Sequence, residues 1–251
     1  MEEIRFFDAA CGVGSTSLRP LPGIAELLAE MDRNGVERAL VFHNDTGVLG
    51  AEVANRKLPQ MLEAEDPGRR LDAVWAVLPE ECGELAAPDA FFSEMKNSRA
   101  RAITLDPFNH RYVACRLSIG EYMDEAIRRK TVVLLNSFAG KWDDLYAFMK
   151  EFPELHCIIH GGDKWGNDRY IRPLLKAFPN LCVELSGYWV PEGIADLAKK
   201  YGANRLLYGS GFPRYNHGSG MLQIKQSGLD LDDIALIAGK NLEDMLEESS
   251  C

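Results

Sequence analysis

Eight short apolar runs alternate with eight amphipathic stretches along the 251 residues, and this alternation restricts the fold more than any other feature of the chain. The strand candidates cover 4–9, 38–43, 71–77, 100–105, 131–136, 156–160, 181–186 and 205–210. The helix candidates cover 22–34, 53–65, 88–97, 119–130, 142–152, 168–178, 191–201 and 231–246. Regular strand–helix alternation builds βα units around a parallel sheet. Strand starts fall roughly 24 to 34 residues apart, which is what one strand, one helix and two short loops need in a closed eight-fold barrel. The expected fold class is therefore α/β, a (β/α)8 TIM barrel in one domain over 1–251. A doubly wound open sheet is the alternative. It would carry a Gly-rich dinucleotide fingerprint after an early strand, and Gly12-x-Gly14 lacks both the third glycine and a prompt helix.

Local signals agree with this reading. Ile24, Leu27, Leu28 and Met31 recur at helical spacing, and Gly35 is placed to end their helix. Pro191 suits a first helical turn, with Gly202 at the far end. Asn34-Gly35, Pro179-Asn180 and Tyr201-Gly202 are turn signals that return the chain to the next strand.

Composition narrows the partners. Hydrophobic residues make up 46% and charged residues 26%, ordinary values for a globular chain. A net charge of −10 repels a phosphate backbone, and no basic patch offsets it, so no nucleic-acid partner is expected. No apolar run approaches the roughly 20 residues that cross a bilayer, so no membrane role is expected either. The acidic start, Met1-Glu2-Glu3, is unlike a secretion signal, and the expected location is cytoplasmic. Six cysteines stand singly, without C-x-x-C spacing, and are expected to be reduced. Self-association into a homo-oligomer is open to such a barrel, but no interface is readable.

In a barrel of this kind the residues that close the strands define the working face. They are 8–12, 43–45, 78–79, 106–110, 136–137, 160–163, 186–188 and 210–214. Four of the five histidines, His43, His110, His160 and His217, lie at or just beyond strand ends, whereas His156 opens a strand and is expected to be structural.

Several weak motifs in the right order carry a family resemblance. They are Phe6-Phe7-Asp8 on strand 1, Leu27-Leu28-Ala29-Glu30-Met31 through Gly35-Val36 before strand 2, and Ile158-Ile159-His160-Gly161-Gly162 on strand 6. Val183-Glu184-Leu185-Ser186 on strand 7, Gly202 through Ser210 into strand 8, and Asn241 complete the set. On these the chain resembles the amidohydrolase superfamily, specifically the amidohydrolase-2 (amidohydrolase-related) family, across nearly its full length. The resemblance implies a hydrolase or decarboxylase of a small, carboxylate- or lactone-bearing substrate. It also implies metal ligands at positions filled here by Ala10, Gly12, Asn136, His160 and Gly211, of which only His160 is a ligand of the usual set. The family's Gly-Thr-Asp-x-Pro on strand 8 reads Gly209-Ser210-Gly211-Phe212-Pro213. Glycine and alanine offer no side-chain lone pair, so a zinc or manganese ion would require a rebuilt set, such as His43, His110 and Asp106.

The candidate catalytic residues are His160 as acid/base, with Asp8, His43, Asp106 and His110; Asp106 and His110 share the loop after strand 4 and are candidates for an imidazole–carboxylate pair, a contact that spacing alone does not establish. The candidate substrate contacts are Asn136, Trp165, Ser186, Tyr188, Ser210 and Arg214. Trp165 and Tyr188 are expected to wall an apolar or aromatic ligand, and Arg214 to offer a cation to an anion. Cys11 is a candidate nucleophile or soft metal ligand in the altered strand-1 motif. His217 falls in a Gly/Ser-rich stretch that reads as a lid or long loop. The competing function is a non-catalytic barrel that keeps the pocket and only binds a ligand.

Overall fold

The computed structural model describes residues 4–16, 20–46, 50–136, 141–161, 164 and 166–250. The eight strands form one parallel sheet in the order β1 to β8, as β1 (Phe6–Val13), β2 (Val36–His43), β3 (Leu71–Ala76), β4 (Ala100–Leu105), β5 (Val132–Asn136), β6 (Cys157–His160), β7 (Leu181–Glu184) and β8 (Leu206–Leu207). The Ala9 amide donates to Tyr208 O at 3.0 Å and the Gly12 amide to Phe212 O at 2.7 Å, which brings the last strand round to the first. The barrel expectation holds.

Between and after the strands run α1 (Ile24–Asn34), α2 (Ala51–Glu65), α3 (Pro88–Lys96), α4 (Arg116–Arg129), α5 (Trp142–Glu151), α6 (Asp168–Ala177), α7 (Gly193–Tyr201), α8 (His217–Lys225), α9 (Leu231–Ala235) and α10 (Asn241–Glu248). On α1, Ile24, Leu27 and Met31 are buried at a helical period. Gly35 ends that helix in the left-handed region, at φ 72°, with its amide on Met31 O. Two apolar layers result. Phe7, Leu40, Val74, Ala102, Val132, Leu134, Ile158 and Leu207 fill the barrel, while the opposite strand faces pack under the helices. Leu242 and Leu246 of α10 join the inner layer, and Arg101 at the start of β4 donates to Leu246 O at 2.8 Å, so α10 plugs the N-terminal end of the barrel.

Four expectations need correcting. Strand 1 extends to Val13, because Cys11, Gly12 and Val13 remain in register with Val41, Phe42 and His43 after a bulge. Pro191 lies before α7; Glu192 at φ 56° redirects the chain, so the helix starts at Gly193. The final helical stretch is divided by a π turn at Leu236–Lys240, where Tyr208 N donates to Ile237 O at 2.7 Å. The Gly/Ser-rich stretch after strand 8 is not a loop but α8, capped by Asn216 Oδ1 accepting from Ser219 N at 2.9 Å. Its Gly220 is a packing choice, since a Cβ there would lie 3.2 Å from the Tyr208 ring and 3.4 Å from Gly209 O.

Asn241 ties α10 to the strand it follows, donating to Ala203 O at 2.9 Å and Leu206 O at 2.8 Å. Alanine there strips two buried carbonyls of their partner, at about 1–3 kcal/mol. Urea unfolding of Asn241→Ala should show that loss in the midpoint; an unchanged midpoint would mean that α10 is held by its leucines alone.

Candidate active site

The C-terminal ends of β4, β5 and β6 place Asp106, Asn136 and His160 beside one another, with Asn136 and His160 paired in register. Asn136 Nδ2 donates to Asp106 Oδ2 at 3.0 Å. The His160 ring is buried, within 5.8 Å of the Phe42 ring. Thr104 Oγ1 donates to Leu134 O at 3.2 Å, which leaves its oxygen to accept from His160 Nε2 at 3.4 Å. That network assigns the proton to Nε2 and the lone pair to Nδ1. Nδ1 is buried and has no hydrogen-bond partner among the described residues. Burial lowers the His160 pKa to about 4, so the ring is neutral at pH 7.

A second polar group joins β6 to β7. The Lys164 ammonium is enclosed, donating to Glu184 Oε2 at 3.0 Å and to Ser186 O at 2.8 Å. Glu184 also accepts from Ser186 Oγ at 2.8 Å and from the Ser186 amide. A Cβ on Gly209 would overlap the Glu184 carboxylate, so the strand-8 glycine makes room for this pair. Sequence reasoning missed Lys164, because a lysine in a loop reads as a solvated cation; the adjoining Gly-Gly was the only hint of close packing.

A third group lies at the seam between β1 and β8. Asp8 accepts from the Ala10 amide at 3.0 Å and from the Ser210 amide at 3.0 and 3.1 Å. Its Oδ2 is 3.3 Å from His217 Nε2, and both side chains are fully buried. Cys11 Sγ lies 3.6 Å from Ser210 Oγ and 4.0 Å from His217 Nε2. Burial, with the Asp8 charge adding to it, raises the Cys11 thiol well above its ordinary range, so it is not an activated nucleophile. The Asp8–His217 pairing escaped the sequence because the helix that carries His217 did.

The other candidates are dispersed. His43 is buried, its Nδ1 accepting from the Asp45 amide at 3.2 Å, and burial lowers its pKa. Asp106 and His110 do not form the expected side-chain pair. They sit on one turn, closed by the His110 amide on Asp106 O at 3.0 Å, and the carboxylate turns to Asn109 Nδ2 at 2.6 Å and to Asn136. Burial lowers the His110 pKa, and the Asp106 charge opposes it. Nor do His43, His110 and Asp106 converge as a metal set; among the described residues the one group of three His, Cys, Asp or Glu side chains with that geometry is Asp8, Cys11 and His217. Tyr188 is buried, its hydroxyl donating to Asp168 Oδ1 at 2.6 Å. Arg214 is exposed over the Tyr215 ring, 5.1 Å from its centroid. Trp165 lies outside the described residues.

No curated protein sequence matches the chain at a significant level. Solved structures do. A 2,6-dihydroxybenzoate decarboxylase in complex with 2,6-dihydroxybenzoate superposes with a TM-score of 0.73 at 15% identity, covering 98% of this chain and 99% of its own. 5-Carboxyvanillate decarboxylase from Sphingomonas paucimobilis gives 0.68 at 16%, with 98% and 99% covered. A dihydroxybenzoic acid decarboxylase from Polaromonas sp., with bound manganese and the inhibitor 2-nitroresorcinol, gives 0.70 at 13%, with 98% and 97% covered. At such identities the likeness shows the barrel and its strand order. No helix among the described residues is long and apolar enough to cross a membrane. The family model described as Amidohydrolase matches residues 17–246, nearly the whole chain, and the protein belongs to the amidohydrolase-2 family.

Proposed function

We propose that this chain is a metal-independent hydrolase or decarboxylase of a small carboxylate- or lactone-bearing compound, working at the C-terminal mouth of the barrel with His160 as its acid/base. The observation that carries this reading is the His160 ring itself, buried at a strand end with an Nδ1 lone pair that has no partner among the described residues. Trp75 Nε1 and Arg101 Nε are unpartnered in the same way, so it is the position of Nδ1 at a strand end on the working face that favours a ligand-facing role. A ring with a pKa near 4 is a poor base when alone. A carboxylate bound beside it favours the imidazolium, raises the pKa toward neutrality and so couples proton transfer to the arrival of an anionic substrate. Asp106 orients Asn136 toward the same space, and Ser186 and Arg214 supply further contacts. In this scheme Asp8 holds the Ser210 segment, and His43, His110 and Tyr188 shape the surroundings.

The residues at the family's metal positions do not fit an ion. Ala10 has no donor. A Cβ on Gly12 would overlap Asn44 Oδ1, so any larger side chain must displace Asn44. Gly211 is in the left-handed region, at φ 67°, and a Cβ there would lie 3.0 Å from Ser186 Oγ. The same features favour a second reading, a barrel that binds a small carboxylate without turning it over. A panel of aliphatic and aromatic carboxylates and lactones, followed for CO2 release, hydrolysis and thermal shift, separates the two. Turnover that persists after chelation supports the first. Saturable stabilisation without product supports the second, and turnover abolished by chelation in protein whose circular dichroism shows it still folded sinks the metal-independent scheme.

A further inference from the structure

The group at the β1–β8 seam has a geometry that a catalytic relay lacks. In a cysteine–histidine–aspartate relay the thiol and the carboxylate address opposite ring nitrogens. Here Asp8 Oδ2 and Cys11 Sγ both approach His217 Nε2, at 3.3 and 4.0 Å, and the three donor atoms lie within 4.8 Å of one another. Convergence of an oxygen, a sulfur and a nitrogen on one point is the pattern of chelation. With Zn–N and Zn–O near 2.0–2.1 Å and Zn–S near 2.3 Å, a tetrahedral ion spaces its ligand atoms by roughly 3.3–3.6 Å. The oxygen–nitrogen edge already has that length, and the sulfur–nitrogen edge, at 4.0 Å, needs to shorten by about 0.4 Å.

Charge points the same way. Asp8 is buried with backbone donors on both oxygens, and the charged neighbours that act on Cys11 are Asp8 and Glu184, both negative. Two backbone bonds fall on Oδ1 and one on Oδ2, so Oδ2 keeps lone-pair capacity toward His217. A bulge arranges the ligands. Between Asp8 and Cys11 the first strand has one residue more than its partner, since Asp8 pairs with Ala39 and Cys11 with Val41. Residues three apart on a regular strand face opposite sides, and the extra residue turns them to the same side.

We propose that Asp8, Cys11 and His217 form a buried structural zinc site, chelating the ion through Oδ2, Sγ and Nε2 and pinning α8 to β1 across the closure of the barrel. Ser210 Oγ lies 3.6 Å from the sulfur and accepts from the Phe212 amide at 3.0 Å, and a water completes the tetrahedron. Asp8 opens the strand-1 motif, but Cys11 and His217 lie outside the positions filled by Ala10, Gly12, Asn136, His160 and Gly211, and the site sits where the β8 ladder is only two residues long. Loading forms the Zn–O, Zn–N and Zn–S bonds and breaks the Cys11 S–H bond, whose proton leaves to solvent. The two negative charges of the ligands then balance the dication.

The full chain, stripped with a chelator and reloaded with Zn2+ or Co2+, tests this directly by elemental analysis and absorption. The wild type should hold about one ion per chain, and its cobalt form should show a near-ultraviolet thiolate-to-metal charge-transfer band. Cys11→Ser should lose the band and His217→Gln should lose the ion, whereas Cys82→Ser, at an exposed thiol, should keep both. The wild-type band reads out the site even if a variant fails to fold. Only trace metal in the wild type, or a cobalt form without the band, overturns the proposal. So does an ion retained by Cys11→Ser and His217→Gln but lost from His160→Gln, a result that would also contradict metal-independent chemistry at the mouth.

Discussion

Glu184→Ala should lower the unfolding free energy by about 3–5 kcal/mol, because it strands the Lys164 ammonium in the interior. The carbonyls of Gly161 and Ser186, at 3.3 and 2.8 Å, solvate that ammonium but carry no opposing charge. The truncation also removes the acceptor used by the Ser186 amide and hydroxyl. Glu184→Gln should cost less, since an amide oxygen can still accept one of these bonds. The pair Lys164→Met with Glu184→Leu should recover much of the loss, since removing both charges also removes both desolvation penalties. Chemical denaturation of the three variants checks the ordering; a single alanine substitution that cost less than about 1 kcal/mol would mean water reaches Lys164 as Glu184 leaves.

His160→Gln should reduce turnover by about 10²- to 10⁴-fold with the fold intact, the span expected when a positioned acid/base is lost. The same substitution should change the response of stability to acid. The ring titrates near 4 when folded against an ordinary value of 6.5. Between those values the unfolded chain holds the proton and the folded chain does not, so this group makes stability rise with pH. Its contribution is fully present above about pH 6.5, falls as the medium is acidified, and is gone below about pH 4, a change on the order of 3 kcal/mol. The glutamine variant should therefore lose less stability than the wild type between pH 6.5 and pH 4.5, the remaining loss coming from the buried His43 and His110. Parallel profiles for the two proteins would place the acid sensitivity elsewhere, and the buried His43 would be the next residue to examine.

The barrel was legible because its cause is local. Strand and helix periods, Gly35 as a terminator and apolar runs of strand length are each properties of adjacent residues, and the eight strand regions lie where the apolar runs fall. The boundaries that moved did so through long-range contacts. β8 is short because Tyr208 turns to Ile237 and Ala9 instead of extending the ladder. α8 was missed because Gly218 and Gly220 depress helix propensity, and only their packing against Asn34 and Tyr208 shows why glycine is present.

For the site, the sequence by itself determined which strand ends face the mouth and that His160 stands among them, since strand direction and chain order suffice for that. It could not decide what each side chain touches. Asp106 turns from His110 to Asn109 and Asn136, Lys164 folds inward onto Glu184, and a one-residue bulge brings Cys11 to the face of Asp8. Each of these depends on partners up to 209 positions away, as with Asp8 and His217, and on a register set by the closed sheet. Strand alternation fixes a face only while the register is regular, so one extra residue was enough to hide the seam cluster until the tertiary structure displayed it.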